Sequence, residues 1–172
     1  MEIKLKVGQK KITRASLIDE IRNVIKKLPE GYEKDFINRN LGELKLAQTI
    51  DLINTLHYWC WNGKYSHDEK IRSYLFKIHN SLKQLEKIIK SGEFIEELLK
   101  LAQQLPNSDE RDTIITSFKK GEISEESLKS SSDYLEDWLD NEMVGEFEEE
   151  EQDTLLRIEK IIEELSTILE EN

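Results

Sequence analysis

Residues 71–89 read Ile-Arg-Ser-Tyr-Leu-Phe-Lys-Ile-His-Asn-Ser-Leu-Lys-Gln-Leu-Glu-Lys-Ile-Ile. Ile71, Ile78 and Leu85 recur every seven residues, and so do Leu75, Leu82 and Ile89. That is an a/d seam of nearly three heptads, the spacing of a helix that buries one narrow stripe. The expected helix spans His67 to Lys90. Ser66-His67-Asp68-Glu69 has the spacing of a capping box at its start. Ser91-Gly92 is expected to close it, since Gly suits the left-handed position past a helix end.

A second seam lies near the C-terminus. Leu155, Ile158, Ile162, Leu165 and Leu169 fall at spacings of three and four on a helix expected over Glu146–Glu170. The two helices differ in flanking charge. The first carries Lys70, Arg72, Lys77, Lys83, Lys87 and Lys90 off its seam, and the second carries Glu159, Glu163, Glu164, Glu170 and Glu171. Complementary flanks select helix partners. The pair is therefore expected to pack within one molecule or to support a homodimer through these heptad helices.

Outward from these seams the chain is also helical in pattern. Leu17, Ile21, Val24, Ile25 and Leu28 share one face of a helix over Ser16–Leu28, stopped by Pro29-Glu30-Gly31. A short piece is expected at Glu33–Asn38. Leu46, Ile50, Ile53 and Leu56 form the inner stripe of a helix over Gly42–Trp61, and Asn62-Gly63 signals a turn. Further helices are expected over Glu93–Leu105, from Ser108 or Asp109 to Phe118, and from Ser124 onward. Ser130-Ser131-Ser132 weakens the last of these, because Ser competes for backbone hydrogen bonds.

At the N-terminus Ile3, Leu5 and Val7 alternate with Glu2, Lys4 and Lys6, a period-two strand or extended arm ended by Gly8. One strand cannot stand alone in water. It must pair with another chain, lie on the helices, or serve as a basic arm. The expected fold is all-α: an irregular bundle of six to seven helices with a short N-terminal extended segment. It forms a single domain over 1–172, made of an extended basic arm (1–12), a basic helical half (13–92) and an acidic helical half (93–172).

Charge is split along the chain. Residues 1–90 hold 18 Lys/Arg against 11 Asp/Glu, whereas residues 91–172 hold 7 against 25. From Ser130 to Leu156 there are 11 acidic residues and no basic one. Interleaved with these acids are Trp138, Met143, Val144 and Phe147. Acid with aromatic anchors is the composition of a surface for a basic partner, where charge steers approach and rings supply buried area. Asp133, Asp137, Trp138, Asp140, Glu142 and Phe147 are the expected contact residues. The plainer reading is a solvated helix-loop-helix corner with Trp138 and Phe147 in the core.

His57-Tyr58-Trp59-Cys60-Trp61 is the densest aromatic cluster and reads as rings closing the end of the helical core. A metal site is not expected, because C-x₂-C and H-x₃-H spacings are absent. Nor does any Gly-rich phosphate loop, H-E-x-x-H, G-x-S-x-G or EF-hand spacing occur, so no catalytic residue and no cofactor is assigned. Cys60 is the single cysteine, no apolar run reaches the ~20 residues of a membrane span, and the first residues lack a signal-peptide core. A cytoplasmic protein that does not enter membranes is expected.

The functional expectation is a non-catalytic interaction module of the adaptor or inhibitor kind, such as an immunity protein or antitoxin, holding a basic protein on its acidic face. The alternative is a nucleic-acid-associated subunit of a larger complex that uses the basic N-terminal half, from Lys4–Arg14 and the first heptad helix.

Overall fold

The computed structural model describes residues 1–42, 44–140 and 148–171. Among these residues seven helices and three short strands follow one another: β1 (Lys4–Val7), β2 (Lys10–Thr13), α1 (Arg14–Ile25), α2 (Tyr32–Asn40), α3 (Leu46–Asn62), α4 (Glu69–Gln103), α5 (Asp109–Lys119), β3 (Glu122–Ser124), α6 (Glu125–Asp140) and α7 (Glu149–Glu170). The architecture is an all-α bundle with a short extended N-terminus. The chain divides into two compact units, one of Met1–Ile12 with 91–172, the other Thr13–Lys90.

Beyond Thr13, the regular structure of the Thr13–Lys90 unit is all helix. Thr13 caps α1 reciprocally with Ser16: each backbone N–H donates to the other's hydroxyl at 3.1 Å. Leu17, Ile21 and Ile25 then face inward. On α3 the buried stripe is Thr49, Leu52, Ile53, Leu56 and Cys60, whereas Leu46 and Ile50 are only half-buried. The stripe is thus turned from the one the leucine spacing predicts. Buried Thr49 tolerates this because its hydroxyl donates to the Lys45 carbonyl at 2.8 Å.

The structure corrects the start of α4. Asp68, not Ser66, accepts the amide of Ile71 through Oδ1 at 3.1 Å, and the helix begins at Glu69. A carboxylate at this end also meets the positive pole of the helix dipole.

The expected stop at Ser91-Gly92 is overturned. Residues of the two helices expected over 67–90 and 93–105 form one helix of 35 residues. Gly92 lies inside it, and Ile3 Cγ1 sits 3.3 Å from where a Cβ would be. The missing side chain therefore makes room for the N-terminal segment rather than ending the helix. Buried residues along it and just past its end run 75, 78, 79, 82, 85, 88, 91, 95, 98, 102 and 105. Three successive steps of three, from Leu82 to Ser91 by way of Leu85 and Ile88, shift the phase of the stripe. This explains why Ile88 rather than Ile89 is buried, and the shift ends where the helix passes from one unit to the other.

The other unit contains all of the β structure apart from the last residue of β2. Its strand order is β2-β1-β3. A two-residue turn, Gly8-Gln9, joins β1 to β2, a connection open to antiparallel neighbours. β1 pairs with β3 in parallel, Leu5 opposite Ile123, and both are fully buried. The N-terminal segment is thus a strand in a sheet, not a free arm, and Lys11 reaches Glu122 at 3.5 Å. Gly121 permits the crossing: its φ is +73°, and a Cβ there would strike the Glu2 carbonyl oxygen.

Around this sheet lie α5, α6, α7 and the end of α4. Ser108 caps α5, accepting from Arg111 N–H at 3.1 Å. Ser124 and Ser127 cap α6 reciprocally at 3.1 Å. The Ser130-Ser131-Ser132 run stays helical. The predicted α7 seam is buried in full, with Ile161 and Ile168 added to it. The seam residues of α4 (Leu75, Ile78, Leu82, Leu85) and of α7 bury their apolar surface inside one copy of the chain.

Candidate functional site

The acidic face is built on α6. Leu128, Ser131, Leu135 and Trp138 form its buried stripe, at steps of three and four. That periodicity turns Asp133, Glu136, Asp137 and Asp140 outward, and all four are exposed. Asp133 and Asp137 stand one turn apart, as do Glu136 and Asp140.

Trp138 is only 3% exposed, so its indole belongs to the core rather than to a partner. The exposed ring on this helix is Tyr134, 42% exposed and placed between Asp133 and Asp137. Its place outside the stripe of large apolar residues was the available signal. Glu142 and Phe147 lie outside the described residues.

The electrostatics of the two acidic stretches differ in sign of effect. Glu149, Glu150 and Glu151 occupy the first turn of α7, where the helix dipole favours carboxylates. The Glu148 amide donates to Glu151 Oε2 at 3.1 Å, so this run stabilises its own helix. Asp137 and Asp140 instead occupy the last turn of α6, at the negative pole, with no basic residue in that turn. None of the ion pairs among the described residues engages Asp133, Glu136, Asp137 or Asp140. Asp137 and Asp140 thus sit where helix physics disfavours them, whereas Asp133 and Glu136 lie further up the helix, Asp133 one turn from Lys129.

A groove of about 310 Å³ adjoins the face between α6 and α7. Leu128 and Leu169 supply apolar wall, and Asp133, Glu125 and Glu170 stand among its lining residues. Across the same unit, Arg157 of α7 grips Glu97 of α4, Nε to Oε1 at 2.8 Å and Nη2 to Oε2 at 3.0 Å. These bonds hold the Glu97 carboxyl below the usual glutamate range.

The aromatic cluster of α3 does not close the core as a whole. Cys60 is buried and burial raises its thiol pKa, which makes it inert rather than nucleophilic. Trp59 is half-buried against Tyr32 and Phe36, with ring centroids at 6.3 and 5.5 Å. Tyr58 and Trp61 point outward. No group of three or more His, Cys, Asp or Glu among the described residues could hold a metal ion. Among those residues no helix is long and apolar enough to cross a membrane. No protein-family model, no curated protein and no solved structure matches this chain at a significant level.

Proposed function

We propose that this chain is a non-catalytic, cytoplasmic interaction module, an adaptor or inhibitor, that holds a basic protein on the exposed face of α6. One observation carries the reading: Asp133, Asp137 and Asp140 are exposed and engage in no ion pair among the described residues, and Asp137 and Asp140 crowd the negative pole of their own helix. A local arrangement that disfavours the folded chain is expected where function requires it. A cationic partner would supply the missing counter-charge, and Tyr134 would supply the ring at the contact.

The test is retention of a basic protein from the native host on immobilised chain. Asp137→Lys with Asp140→Lys is expected to abolish it, with helical content unchanged by circular dichroism. The wild-type complex should also weaken as salt rises. Retention that survives both substitutions overturns the reading.

A further inference from the structure

The Thr13–Lys90 unit carries a second surface of opposite character. Trp61 is 56% exposed and Tyr58 60%, on the side of α3 away from Leu52, Leu56 and Cys60. Trp61 stands edge-on to Phe76 of α4, with centroids at 6.0 Å and an angle of 83°. The row continues through His57, 6.4 Å from Trp61, to His79, 5.9 Å from His57. Trp61, Tyr58 and His57 are exposed, Phe76 is half-buried and His79 is the buried end of the row. Exposed rings this large and close together are uncommon on a surface without a partner.

Cations flank the row. The Arg72 guanidinium lies 5.7 Å from the centre of the Trp61 ring. Arg72, Phe76, His79 and Lys83 follow one another on one face of α4, which places Arg72 and Lys83 about 16 Å apart along the helix. Lys64 sits over Tyr65 at 5.3 Å. None of the ion pairs among the described residues engages Arg72, Lys83 or Lys64. Asp68, four residues from both Lys64 and Arg72, accepts the Ile71 amide, and Glu86, three from Lys83, pairs with Lys90 at 3.0 Å.

We propose that this ring row, bounded by Arg72 and Lys83, is a contact surface for single-stranded nucleic acid. Unpaired bases stack on exposed rings whatever their sequence, and phosphates seek the cations beside them. A duplex hides its base faces. An acidic protein would use the cations and leave the rings without a comparable partner. The chemistry of this surface therefore fits a polyanion that also offers flat π faces.

The test is fluorescence anisotropy of a short labelled oligo(dT), and of oligo(U), titrated with the full chain at low salt. Binding is expected, and it should weaken as salt rises. Trp61→Ala should weaken it roughly 5-fold or more, the loss of one stacked base. Trp61→Phe, which keeps a ring, should restore most of the affinity. Tyr58→Ala, at an exposed position, gives a second reading should Trp61→Ala perturb folding. Arg72→Gln with Lys83→Gln should reduce the slope of log affinity against log salt by about 1.4, the share of two single-strand phosphates. No binding at low salt overturns the proposal, as does binding indifferent to both ring substitutions. Equal competition by polyglutamate also overturns it and assigns the surface to an acidic protein.

Discussion

Arg157 and Glu97 are joined by two parallel hydrogen bonds across 60 residues of sequence, and both side chains remain about two-fifths exposed. The bonds from Arg157 favour the carboxylate form of Glu97 and lower its pKa. A folded-state value below the unfolded one means that the folded chain binds fewer protons in that range. The stabilisation is present above the ordinary glutamate value and is lost as pH falls through the lowered one. Glu97→Gln is expected to flatten the acid limb of a pH–stability curve followed by urea midpoints. An unchanged acid limb would show that the pair adds nothing.

His79 acts in a different window. Burial lowers its pKa, with Lys83 and His57 adding to the effect against an opposing hydrogen bond from the ring Nδ1 to Asn80 Oδ1. Stability tied to neutral His79 is therefore present above the ordinary histidine value, about 6.5. It is lost as pH falls through the lowered value. His79→Gln is expected to remove this component, leaving the glutamate limb in place. Thermal midpoints taken from neutral to mildly acid pH separate the two.

The α6 carboxylates give a trade-off between stability and binding. Asp137→Asn removes a like-charge pair with Asp133 and one charge from the negative pole of the helix. The free chain is expected to gain about 0.5 kcal/mol. Retention of the basic partner should fall in the same variant. Urea unfolding and the retention assay read the two halves, and a variant that loses stability would show that Asp137 is structural.

Gly121→Ala is expected to cost about 2 kcal/mol or more. A left-handed alanine already costs about 1–2 kcal/mol, and its Cβ would collide with the Glu2 backbone. The Lys4 amide donates to the Gly121 carbonyl at 2.9 Å, so its hydrogen exchange should accelerate in the variant. Slow exchange there would mean that the strand absorbs the new methyl group.

The seams were legible because large apolar residues at steps of three and four have one dominant reading. Leu75, Leu82, Ile158 and Leu165 are all buried as their spacing implies. Gly92 was misread because a glycine after a helical run looks the same whether it ends the helix or admits a neighbour; only the position of Ile3 decides. β3 escaped notice because Glu122-Ile123-Ser124 offers one buried residue and no period. On α6, Trp138 lay on the Leu128–Leu135 stripe, and the spacing alone placed it inside. The outward turn of Tyr58 and Trp61 was not legible, because α3 rotates its stripe to bury Thr49 and Cys60.

The parallel pairing of β1 with β3 has a temporal consequence. During translation the first strand emerges more than a hundred residues before its mate. At about 5–20 residues per second, that interval is roughly 6–23 s. Thr13–Lys90, continuous in sequence, can condense in the meantime, while Leu5 waits as an unsatisfied edge. A ribosome stalled before Ile123 would expose that edge to neighbouring nascent chains, so the speed of decoding between residues 91 and 122 sets how long the growing chain stays vulnerable.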